Sequence, residues 1–292
     1  MGVRHMVRQI DVMGADGVRL TAWEFGAGRG ATDGGRRDRP GLLLLHDLMG
    51  RASTWADNTA RWLAPRFRTV AVDQRGHGHS EKPAGPYDRG SYVADVEAVV
   101  EALGLAPAVL VGHAMGGLTA WQLAARRPDL VRGLVVSETK ASTLGEDGQR
   151  RWLDWFKSWP LPFDSLDAVR RWFSEDDPTL ERPSPGRGDY FVEVMEERAD
   201  GYWPEFSFDH MMLSLEPWAF ESHWDDLALV HCPTLVVRGL DGALGRAEAQ
   251  EMVRALPDGH YAEVPDCGHI VHCERPEGWR QAVEPFLAGL GR

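Results

Sequence analysis

Several things are scarce or missing in this 292-residue chain, and each absence excludes something. Cysteine is rare: Cys232, Cys267 and Cys273 are odd in number, and no two stand in the C-x-x-C spacing of a zinc or redox site. That usage fits reduced thiols in a cytosolic protein, and no metal or cofactor is expected. No stretch approaches the ~18 apolar residues of a membrane span, and no N-terminal run resembles a signal peptide. The expectation is a cytoplasmic protein without a membrane partner. An excess of positive charge is also missing, since a net charge of −12 argues against nucleic acid as the main partner. There is no internal repeat and no low-complexity tract. What remains is an ordinary balance of 43% hydrophobic and 26% charged residues, in a chain long enough for one large α/β core with an insertion.

Turn and periodicity signals organise the chain. Two short strands, about 7–13 and 17–25, meet at the turn signal GADG. A Gly/Arg-rich stretch, GAGRGATDGGRRDRPG, follows and reads as a mobile loop. LLLLH (42–46) and FRTVAVD (67–73) are continuous apolar runs of strand length, the pattern of strands buried on both faces, with a helix expected around 53–65 between them. Val93, Val96, Val99, Val100 and Leu103 recur at helical spacing and stop at a glycine. A strand at 108–113, a helix at 115–127 and a strand at 133–138 continue the alternation, which implies a mostly parallel sheet covered by helices on both faces. After residue 140 the strand pattern disappears. Seven of the twelve tryptophans fall between 141 and 230, so that region reads as an aromatic-rich helical cap. The α/β rhythm returns with PTLVVRG, a helix at 246–256, YAEVPD (261–266) and a last helix from about 276. The expected division is a core at 1–139 and 229–292 with a cap at 140–228.

One more absence carries the most chemistry. VLVGHAMGGLTAW (109–121) reads as strand, sharp turn and helix in the pattern G-x-S-x-G, but Ala114 stands where the serine belongs. Three further segments follow strands in matching order: HDLMG (46–50), DQRGHGHS (73–80) and DCGHIVHCERP (266–276). All lie at the carboxyl ends of parallel strands, where open α/β sheets build their sites. On these residues the chain resembles the α/β-hydrolase superfamily, over about residues 17–138 and 230–290.

The resemblance implies roles by position. His269, in a Gly-His pair after the last strand, corresponds to the histidine that takes and returns a proton. His272 reads as its neighbour. The orienting acid is either Asp241, in the loop RGLDGAL, or Glu138, at the end of VVSE as in some haloalkane dehalogenases; Glu138 is preferred because the usual slot holds Gly242. Backbone N–H groups of Leu48 and Met115 correspond to the oxyanion hole. Relatives often read His-Gly where this chain has His46-Asp47, and Asp47 is expected to turn to solvent or to local backbone. Asp73 and RGHGHS, with Ser80, read as structural. His46, Asp47, His113, Trp152, Trp155, Trp159 and Trp218 are the candidate substrate-binding residues.

A methyl group at 114 removes covalent catalysis. Three readings follow: a serine hydrolase of apolar esters or lactones present in an inactive Ser-to-Ala form, a serine-less enzyme using His269 for elimination, isomerisation, cyclisation or decarboxylation, and a non-catalytic small-ligand receptor. The first is preferred, because the surrounding motif is intact. The expected partners are a small apolar or aromatic substrate and, at most, a second copy of the chain in a homodimer.

Overall fold

The computed structural model describes residues 7–26 and 39–290. Most of the Gly/Arg-rich stretch expected to be mobile, residues 27–38, lies outside them. Among the described residues ten strands form: β1 Val7–Met13, β2 Arg19–Phe25, β3 Gly41–Leu45, β4 Arg68–Asp73, β5 Ala108–His113, β6 Val131–Ser137, β7 Met195–Arg198, β8 Gly201–Pro204, β9 Thr234–Gly239 and β10 Gly259–Val264. Eight of them make one sheet in the order β1-β2-β4-β3-β5-β6-β9-β10. β1 and β2 run antiparallel to their neighbours, and the pairs from β4 to β10 are parallel.

The apolar runs form buried central strands because both faces are covered. Along β3, Leu43 and Leu45 enter one core while Leu42 and Leu44 enter the other, the period-two alternation of a strand. On the first face lie the helices Arg89–Ala102 and Met115–Arg126. Asp88 caps the former by accepting from Ser91 N at 2.8 Å. The second face is covered by helix Pro276–Leu290 and by the segment Ala52–Leu63. That segment is not the single helix expected, but a 3₁₀ turn, a π turn and one turn of α-helix.

Residues 140–228 contribute no strand to the large sheet. They form helices, chiefly Gly145–Ser158, Pro185–Glu193 and Phe208–Phe220. The expectation of helices alone is corrected, because β7 and β8 pair as a small hairpin. Two four-residue strands are too short to show a period in sequence. Trp159 sits at the centre of this layer, with ring centroids 4.6 Å from Phe173 and 5.0 Å from Trp155. Among the described residues, no helix is long and apolar enough to cross a membrane.

Candidate active site

The sharp turn at 114 is built by glycines that close packing demands. A Cβ on Gly112 would lie 2.4 Å from the Gly116 carbonyl oxygen, and one on Gly116 would lie 2.3 Å from that of Leu45. Ala114 between them is held at φ 46°, ψ −111°, a conformation that costs a non-glycine residue ~1–3 kcal/mol. Its N–H donates to Ser137 O at 2.9 Å, and its carbonyl accepts from Leu118 N at 3.0 Å and Thr139 Oγ1 at 3.2 Å. The strained turn aims the 114 side chain into a cavity of ≈ 340 Å³ between the sheet and the segment 140–228. A methyl group lines it there. Met115 opens the following helix, and a first-turn N–H has no partner within its own helix. Leu48 lines the same cavity.

His269 and Glu138 meet at this wall. His269 Nδ1 lies 3.2 Å from Glu138 Oε2, so the other ring nitrogen, Nε2, is left for the cavity. The carboxylate also accepts from Gly239 N at 2.9 Å and Leu244 N at 3.1 Å. Burial opposes the His269 cation, but the hydrogen bond and charge of Glu138, with lesser help from Asp47 and Glu274, outweigh it and raise the imidazole above its ordinary value of 6.5. Asp241 takes no part: its carboxylate pairs with Arg182 at the surface. The reason lies in Gly242, where a Cβ would stand 2.3–2.4 Å from the Glu138 carboxyl atoms. The side chain missing at 242 leaves the space that Glu138 fills. Gly242→Ala is therefore expected to lower stability by about 1–3 kcal/mol through overpacking and to disturb His269. Urea unfolding checks this; a variant as stable as the parent would place the Glu138 carboxylate elsewhere.

The candidate binding residues divide. Asp47, Trp152, Trp155 and Trp218 line the cavity, whereas His46, His113 and Trp159 do not. Trp159 is absorbed in the aromatic packing described above. His46 is buried, with Nδ1 2.7 Å from Asp47 O and Nε2 accepting from Gln74 N at 2.9 Å. Burial and the neighbouring His77 push it down to about 3, so it is a neutral loop brace. His113 braces the next loop, its Nε2 lying 2.9 Å from His269 O. His272 lies behind it, stacked on Trp55 at 3.9 Å. Burial lowers both histidines well below the ordinary value. Asp73 and Ser80 are tied into backbone N–H groups of several segments: Asp73 accepts from Ala52 N at 2.7 Å and His79 N at 3.0 Å, and Ser80 Oγ accepts from Thr21 N at 2.8 Å.

Asp47 departs from expectation. It faces neither solvent nor local backbone: it is buried, and Oδ1 accepts the hydroxyl of Tyr190, 143 residues away. The cavity is also less apolar than expected, since Lys140, Arg151 and Arg187 line it. Arg187 is paired with Asp177 and lies over the Trp155 ring at 5.6 Å. Among the described residues, Lys140 and Arg151 have no carboxylate partner. Their only sequence signal was position: Lys140 follows Glu138 by two, and Arg151 precedes Trp152.

Comparison with known proteins agrees with this fold. A family model described as the alpha/beta hydrolase fold matches residues 40–276. The chain belongs to the α/β-hydrolase fold family. Among its curated relatives, the 2-(acetamidomethylene)succinate hydrolase of Mesorhizobium japonicum is 38% identical over 262 residues, covering 85% of this chain and 88% of that one. The 3-oxoadipate enol-lactonase 2 of Acinetobacter baylyi is 26% identical over 267 residues, covering 87% and 90%. In fold, the chain superposes on a crystal structure of E-2-(acetamidomethylene)succinate hydrolase with a TM-score of 0.81 at 24% identity, covering 97% and 99%. These relatives are hydrolases by name, and this member carries Ala114 at the turn.

Proposed function

We propose that this α/β-hydrolase-fold protein is an enzyme that transfers a proton at a carbon beside a carbonyl in a small carboxylate-bearing substrate, without a covalent intermediate. One observation carries the reading: the His269–Glu138 pair, 3.2 Å apart, is assembled in the cavity that Ala114 lines with a methyl group instead of a hydroxyl. A base and its orienter have a use without a nucleophile; the reverse does not hold. In this reading Glu138 fixes the His269 tautomer, and Nε2 exchanges the proton. Met115 N–H and Leu48 N–H flank the substrate carbonyl. The tryptophans hold its apolar part, while Lys140 and Arg151 receive its carboxylate. The names of two relatives, a succinate hydrolase and an oxoadipate enol-lactonase, support a carboxylate in the substrate. This reading differs from the apolar ester, lactone or related carbonyl substrate expected from the aromatic-rich cap.

A second reading is supported by the strain at 114. A turn held at φ 46° serves an exposed nucleophile, which fits a serine hydrolase carrying alanine at that position. Asp47 weighs against it, because a buried carboxylate beside an oxyanion hole opposes a developing negative charge.

Proton exchange followed by NMR in D₂O tests the proposal. Deuterium wash-in beside the carbonyl of phenylpyruvate is expected to exceed the buffer rate by ~10²–10⁴-fold, and to fall to background in His269→Ala. Phenylacetone, which lacks the carboxylate, should exchange poorly, and Arg151→Ala should raise KM for phenylpyruvate by about tenfold with kcat little changed. Exchange no faster than buffer, or unaltered by His269→Ala, would overturn the reading.

A further inference from the structure

We infer that Asp47 turns the place of the oxyanion hole into a seat for a hydrogen-bond donor, so that the ligand group beside Ala114 presents an O–H or N–H to it rather than an anionic oxygen. The inference rests on the reading above and names the ligand chemistry of the same cavity.

Three observations carry it. Asp47 lines the cavity with Leu48, Ala114 and His269, and is 2% exposed. An ionised carboxylate accepts hydrogen bonds and cannot donate them. Its orientation is imposed from a distance: Tyr190, on helix Pro185–Glu193, donates to Oδ1. The only basic group paired with it among the described residues is His113, whose Nδ1 lies 3.9 Å from the same Oδ1. That nitrogen is buried without a hydrogen-bond partner, and Nε2 of the ring already faces the His269 carbonyl. No lysine or arginine among the described residues neutralises Asp47. A negative oxygen brought to this corner would meet a fixed negative charge in a low-dielectric setting. A hydroxyl or amide N–H would meet an acceptor already positioned.

The arrangement gives the proton transfer a second carrier. An enol seated here gives its O–H proton to the Asp47 carboxylate while imidazolium His269 gives its Nε2 proton to the carbon. The O–H and N–H bonds break, and the C–H bond and the carbonyl form. Solvent then returns a proton from Asp47 to His269, so the cycle balances without any oxidant or reductant.

Calorimetric binding of three probes tests the inference independently of turnover. Mandelate presents a hydroxyl, phenylglyoxylate presents a carbonyl in its place, and O-methylmandelate blocks the donor. The native protein is expected to bind mandelate at least tenfold more tightly than either of the others. In Asp47→Asn, whose side-chain amide can donate, the preference should invert toward phenylglyoxylate; a merely structural role would weaken all three alike. Tyr190→Phe, which keeps the charge, should retain the order with a smaller ratio. Native protein that prefers phenylglyoxylate, fails to discriminate or binds none of the three overturns the inference, as does an unchanged order in Asp47→Asn. If Asp47→Asn does not fold, the native and Tyr190→Phe ratios decide. Loss of exchange activity alone, with these preferences intact, would count against the proposed reaction and leave the donor seat standing.

Discussion

Glu138→Gln is expected to cut the His269-dependent exchange rate by ~10²–10⁴-fold, by analogy with the removal of the acid's charge from serine-protease triads. The carboxylate accepts from three N–H groups: Gly239 N, Leu244 N and His269 Nδ1. A glutamine replaces one of its oxygens by an NH₂ that must face at least one of those donors. The ring then loses either its orientation or its tautomer. The pH profile should move as well. Proton abstraction needs neutral His269, and Glu138 raises that imidazole above its ordinary value. The rising limb of the native profile should therefore lie above pH 6.5 and shift to lower pH in Glu138→Gln, where only the lesser charges of Asp47 and Glu274 still oppose burial. Stability follows the same linkage. A raised folded-state value contributes stability that is fully present below 6.5 and is lost as pH rises through the raised value. The variant's deficit should be greatest on the acid side. Exchange that keeps its rate and its pH profile in Glu138→Gln would remove Glu138 from the site.

Ala114→Ser separates the two chemical readings. A hydroxyl on that Cβ would emerge at the strained turn, in the cavity that His269 also lines. If the chain is a serine hydrolase with alanine at 114, the change should create hydrolysis of small carboxylate-bearing esters and lactones, with a burst of acyl-enzyme and labelling by a serine-directed phosphonate. The gain should be large, since loss of a nucleophile costs ~10⁴–10⁶-fold in triad enzymes. If the proton-transfer reading holds, the serine variant should gain no burst, and exchange should stay within a few-fold of the parent. The expectation is the latter, because Asp47 remains beside the reacting oxygen in either variant. A clear burst with phosphonate labelling would favour the hydrolase.

Much of the architecture follows from local sequence. The runs LLLLH and FRTVAVD can satisfy both their faces only inside a covered sheet. Gly112, Gly116 and Gly117 announce a turn that larger residues could not make, and the glycine before His269 marked that loop by position alone. Such signals are short-range: a period, a breaker or a missing side chain within a few residues.

Tertiary structure decided what depends on side chains meeting across the chain. Glu138 and Asp241 both follow strand ends; the glycine at 242 favoured Glu138 in the sequence, and side-chain packing decided between them. Gly242 leaves room for the Glu138 carboxylate, while Arg182 draws Asp241 to the surface. The direction of Asp47 is set by Tyr190, and the cations of the cavity come from a strand end and two separate helices of the inserted segment. A loop residue's backbone permits several side-chain directions, and partners distant in sequence select among them by hydrogen bonding, charge and available volume. The identity of each residue at this site was therefore set by the sequence, and its direction by the fold.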